Sequence, residues 1–185
     1  MAIKDILAVV DTGDKDEQFL RDALAFAEFH EARLSIIVLS ALPSIDYGLP
    51  VSPPYIFLRD YTEAVDAKRQ RIDKLAGPSN VEVRTISDQP EVIFDKAAIH
   101  ARYVDVALFG PVDNYTHAPI RRETIESILF ASGRPVLVVP NGYTPRAVRH
   151  LAIGWNATRE ATRALRDALA FAAPEARVDV LVLDA

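Results

Sequence analysis

Two kinds of apolar pattern alternate along the chain. Short, near-continuous runs occur at Ile3–Val10, Leu34–Leu39, Val104–Phe109 and Val136–Val139. Between them lie longer segments whose apolar residues recur every three or four positions. The short runs suit strands of a parallel sheet covered on both faces, and the longer segments suit amphipathic helices. Phe19, Leu20, Ala23, Leu24, Phe26 and Ala27 line the face of a first helix, and Asp14 with Glu17 has capping-box spacing at its start. Leu58, Tyr61, Val65, Ile72 and Leu75 line a second, stopped by Gly77-Pro78. Val81–Ile86 alternates as a strand near an edge would. Pro90 opens a third helix that runs to about Tyr103. Ile125, Ile128 and Leu129 mark a fourth, ended at Gly133. Strict β-α alternation over residues 1–140 predicts a doubly wound α/β sandwich, a mainly parallel five-stranded sheet flanked by four helices.

Two stretches break the alternation. Residues 41–55 carry Pro43, Pro50, Pro53, Pro54 and Gly48, which exclude a helix or a central strand. Their apolar and aromatic members predict a segment that packs onto the domain, as an ordered surface loop or as a lid over a ligand. The other is the polar loop from Pro111 to about Pro119. In parallel α/β sheets ligands sit beyond the carboxyl ends of the strands, where strand order reverses. The loop after Gly110 is therefore the first place to look for a site.

The stretch 104–140 resembles the signature region of the universal stress protein family. That family's loop reads Gly, two residues, Gly, nine residues, Gly, then Ser or Thr, and holds the phosphates of ATP. Counted from Gly110, the matching positions here are Asp113, Glu123 and Thr124. The spacing and the hydroxyl are present, but two of the three glycines are carboxylates. The resemblance implies the sheet order 3-2-1-4-5, with Asp11 and Gly110 facing each other across the crevice between strands 1 and 4. It also places Asp11 at the family's adenine-contacting aspartate, and Leu39 at a strand 2 position whose backbone contacts adenine.

Each of these residues has a plainer reading. Asp11 opens DTGD, good turn chemistry for capping the loop or helix that follows. Leu39 is a core residue by type. Thr124 fits the first turn of the fourth helix as well as it fits an anion. Arg121 and Arg122 are the paired cations near the loop, and they either clamp an anion or join a solvated ion network with the neighbouring acids. A carboxylate about 4 Å from a phosphate is repelled by roughly 4 kcal/mol at an effective dielectric near 20. A charge-assisted N–H contact returns only about 1.5–3 kcal/mol. The expectation is a degenerate loop that does not hold ATP in the family's manner. No cofactor is expected, with ATP or AMP and Mg²⁺ as the alternative.

Beyond residue 140 the pattern starts again. RDALAFA occurs at Arg21–Ala27 and at Arg166–Ala172; EARLSIIVLSA from Glu31 is answered by EARVDVLVLDA from Glu175, and LAVVDTGD from Leu7 by LAIGWNAT from Leu151. The near-constant offset predicts a duplication. The chain then comprises a domain at 1–140, a linker at 141–147 and the β-α-β start of a second copy at 148–185, resembling a tandem universal stress protein. In that copy, with a one-residue slip, Trp155-Asn156 replaces Val10-Asp11. A β-α-β piece of under about 40 residues cannot bury its own core, so it must dock on the first domain, on a second chain, or on more of its own copy.

Composition narrows the function without naming it. Half of the 185 residues are hydrophobic and the net charge is −5, which argues against a nucleic-acid footprint. There is no cysteine, so no disulfide and no thiolate metal site. His30, His100, His117 and His150 show no metal-ligand spacing. Neither G-x-S-x-G, G-x-G-x-x-G nor a P-loop motif occurs, and no catalytic constellation is visible. No signal peptide or run of 18 or more apolar residues is present, so the expectation is a soluble, cytoplasmic protein that touches no membrane. The leading expectation is a stress-linked accessory or signalling protein acting by association, not chemistry. It would pair as a homodimer, or repeat to repeat, through its last strand, Val136–Val139. The alternatives are an adenine-nucleotide binder with at most slow hydrolysis, and a carrier of a small apolar ligand beneath residues 41–55.

Overall fold

The computed structural model describes residues 3–42, 54–79 and 81–182. Most of the proline-rich stretch, and with it the carrier reading, lies outside the described residues. Five parallel strands form one sheet: β1 (Asp5–Asp11), β2 (Arg33–Ala41), β3 (Glu82–Asp88), β4 (Val106–Phe109) and β5 (Val136–Val138), ordered β3-β2-β1-β4-β5. Helices α1 (Glu17–Phe29), α2 (Pro54–Ala76), α3 (Pro90–Ala101) and α4 (Ala118–Ser127) connect them. This is the doubly wound α/β fold, in the strand order that the resemblance implies.

The uninterrupted apolar runs have a direct cause. On β1, Ile6, Ala8 and Val10 pack with Phe19 and Phe26 of α1 and Ile72 of α2. Leu7 and Val9 point the other way, to Ile93 and Ala97 of α3 and to Ile128. Both faces of the strand are core, so no position is left for a polar residue until Asp11.

Three boundaries differ from the sequence expectation. No capping box forms at Asp14: α1 begins at Glu17, and Asp16 occupies the N-cap position without a side-chain cap bond. Its carboxylate is drawn instead to Lys68 of α2. The fourth helix starts at Ala118, with Pro119 in its first turn, and continues as one π turn, Ile128–Ser132, to Gly133 at φ +77°. Lastly, the start of the predicted linker is fastened to α1. The backbone N–H groups of Gly142 and Tyr143 donate to Asp22 at 2.7 and 3.3 Å, and Tyr143 packs on the core beside Phe26.

The remainder forms a second, two-stranded parallel sheet of β6 (Val148–Trp155) and β7 (Ala172–Val182), joined by α5 (Arg159–Leu169). The second RDALAFA is not helical to its end. Pro174 cannot continue a helix and restricts the residue before it, so α5 stops at Leu169 while α1 runs on to Phe29. Phe171 instead packs against the core of the five-stranded sheet.

Candidate functional site

At the carboxyl ends of β1 and β4, Asp11 and Gly110 face the same loop. Asp11 is 5% exposed. Its Oδ1 accepts from the Gly13 N–H at 2.9 Å, and its Oδ2 from the N–H groups of Thr116 at 2.6 Å and His117 at 3.4 Å. The carboxylate thus ties the loop after β4 down onto the end of β1. It has the capping role that DTGD suggests, exerted across the sheet as well as locally.

The rest of the loop folds inward to meet it. Tyr115 is buried, donates to the Val9 carbonyl at 2.5 Å and accepts from the Gly110 N–H at 3.3 Å. Burial pushes its hydroxyl pKa well above the ordinary tyrosine value. Arg121 spends its fork on the Gly110 carbonyl, from Nε at 3.0 Å and Nη2 at 2.8 Å, and its guanidinium lies 5.4 Å from the Tyr115 ring centre. Asn114 is buried and pairs reciprocally with Asn141, at 2.9 and 3.1 Å, which anchors the loop to the segment after β5.

Gly110 is needed here for packing. A Cβ at this position would stand 2.9 Å from Asn114 Nδ2 and 3.0 Å from Phe19 Cγ. Gly110→Ala should therefore cost about 1–3 kcal/mol by overpacking, read as a shift of the urea midpoint with an unchanged slope. A cost below about 0.5 kcal/mol would mean that α1 and the loop have room to give.

The other sequence candidates are placed as follows. Thr124 is the seventh residue of α4, not part of its first turn; it is fully buried, and its hydroxyl donates to the Ile120 carbonyl at 2.7 Å. Asp113 is exposed on the 3₁₀ turn Val112–Asn114, and Glu123 is on the exposed side of α4. A helix thus occupies the sequence that would form a glycine-lined phosphate cradle. Arg122 pairs with Glu126 at 2.9 Å on the surface. Leu39 is 2% exposed, in register between Asp11 and Ile86. The structure brings Asp11, Gly110 and Arg121 together around one loop and leaves Arg122 and Thr124 out.

What remains of the crevice, between Asp11, Leu39, Tyr61, Tyr115 and His117, is about 20 Å³. A water needs roughly 10–15 Å³ of such space, and small-molecule sites run from about 300 to 1,000 Å³. The hydrogen bonds of Asp11, Tyr115 and Arg121 draw the loop over this space.

Sequence reasoning missed the most buried charge among the described residues. Lys68 and Asp16 are 1% and 3% exposed. The Lys68 ammonium reaches both Asp16 carboxylate oxygens at 2.5 Å and the Gly13 carbonyl at 2.6 Å. Burial lowers the lysine pKa and raises that of the aspartate, while their mutual attraction opposes both shifts. The signal was available: 61, 65, 68, 72 and 75 form the inner stripe of α2, and a lysine in an apolar stripe calls for a buried partner. Among the described residues no group of three or more His, Asp and Glu could hold a metal, and no helix is long and apolar enough to cross a membrane.

No protein-family model matches the sequence, and none of the curated proteins matches it. Solved structures do. The universal stress protein UspA from Lactobacillus plantarum is 24% identical at a TM-score of 0.54, covering 75% of this chain and 99% of that one. A protein of the universal stress protein family from Burkholderia pseudomallei is 19% identical at a TM-score of 0.50, covering 75% and 97%. The fold is that of the universal stress proteins.

Proposed function

We propose that this chain is a tandem-type universal stress protein whose first crevice is closed by its own side chains, and that it acts in the stress response by association and not by chemistry. The observation that carries this reading is the carboxylate of Asp11. In the position that the resemblance gives to an adenine contact, it is already engaged by the Gly13 N–H and by backbone N–H groups of the loop that would have to open. The tandem part draws on the order of elements. The β6–α5–β7 unit repeats the parallel β-α-β order of β1–α1–β2. Pairing is assigned to β5, an outer strand of the sheet whose Val138 is half exposed. A cytoplasmic location accords with the absence of cysteine.

A thermal-shift titration with ATP and Mg²⁺ tests the reading. Saturation at 100 times Kd would stabilise the fold by about 2.7 kcal/mol, and no shift is expected at millimolar nucleotide. Asp113→Gly with Glu123→Gly should not create one either, because the second change only places a glycine inside α4. A saturable shift in the unaltered chain would overturn the reading in favour of a nucleotide binder.

A further inference from the structure

A second cavity shares no lining residue with this crevice. It is an open cleft of about 970 Å³ between the α1–β5 side of the first domain and helix α5. Phe26, Phe29, Leu129, Tyr143 and Phe171 supply much of its apolar wall. Arg146, Arg159 and Arg163 also line it, against two carboxylates, Glu160 and Asp167. Those acids leave the cations under-satisfied. Arg163 Nε meets Asp167 at a long 3.5 Å, and Arg159 meets Glu160 at 3.9 Å. Arg163 Nη2 has no acceptor, and the Arg163 side chain is 39% exposed. Arg146 makes no hydrogen bond or ion pair among the described residues.

A guanidinium N–H shielded from water without an acceptor is costly, more so than a neutral donor. A planar fork of this kind is matched by a carboxylate. The apolar wall asks for a hydrocarbon body, and the cleft has the size of a small-molecule site. We infer that this cleft binds an amphiphilic carboxylate, its chain along the Phe26–Phe29–Phe171 wall and its head group on Arg146 and Arg163. The inference is independent of the closed crevice, since no residue of that loop contributes.

Isothermal titration of the full chain with laurate, below its micellar range, tests it. Saturable one-to-one binding is expected, weakened at least tenfold in Arg146→Gln/Arg163→Gln. Dodecanol, with the same chain and no charge, should bind both proteins equally and more weakly than laurate binds the unaltered chain. Should the double variant fold poorly, Arg146→Gln alone, at an exposed position, should still weaken laurate and leave dodecanol unchanged. Absence of saturable laurate binding would overturn the inference, as would equal weakening of both ligands. Sedimentation run alongside identifies a further overturning outcome: a dimer that excludes laurate would make the cleft an interface between copies of this chain.

Discussion

Lys68→Met should destabilise the domain by about 3–5 kcal/mol, because it leaves Asp16 buried without its cation. The size follows from geometry: both side chains are almost fully buried, and the ammonium also holds the Gly13 carbonyl. The sign with pH can be worked out. Lys68 supplies the two largest influences that lower the Asp16 pKa; burial and the nearby Asp11 charge raise it. Without the lysine the folded-state pKa rises further above the unfolded value, near about 3.9. A group raised in this way favours folding below its unfolded pKa and loses that contribution as pH climbs through the folded value. The deficit of Lys68→Met should thus be smallest near pH 4 and grow toward neutrality. Adding Asp16→Asn removes the stranded charge, keeps a side chain suited to an N-cap, and should restore at least half of the loss. Urea unfolding of the four proteins at acidic and neutral pH gives the full cycle. A neutral-pH cost under about 1 kcal/mol, or one independent of pH, would mean that water reaches the pair.

The sheet could be read from the chain because its cause is local and repetitive. A strand has to be apolar where both its faces are covered, and Ile6–Val10 of β1, Ile36–Leu39 of β2 and all of β4 are; Pro90 and Gly133 punctuate where φ demands it. The order of the strands was not in the periodicity and came with the resemblance. The site was less legible, since its decisive contacts join residues far apart in sequence. The resemblance matched Glu123 and Thr124 to the family's phosphate loop, but motif spacing does not say where a helix begins. Pro119, with its preset φ, lies in the first turn of a helix that begins at Ala118, and a loop motif becomes a helix face. Arg121 illustrates the same limit: its acceptor is the Gly110 carbonyl, a backbone atom that no residue pattern announces. Lys68 was the exception, visible as a lysine inside an apolar stripe.

Asp11→Ala should cost about 2–4 kcal/mol, through two well-formed charge-assisted bonds and the donors left without acceptors. The shortest of these, from the Thr116 N–H, joins residues more than a hundred positions apart, so the loss concerns the loop's attachment as well as the turn after β1. Amide exchange should reveal where it falls. Thr116 and Gly13 should lose protection, while Ile6–Val10 in the sheet centre should keep theirs up to global unfolding. Asp11→Asn is the discriminating partner variant. Its carboxamide keeps a single acceptor oxygen and presents an NH₂ to a second donor, so an intermediate cost is expected. Should Asp11→Ala leave both stability and Thr116 exchange unchanged, Tyr115 and Arg121 alone would suffice to hold the loop shut. Closure would then rest on packing around Gly110, and the carboxylate would be free for a ligand.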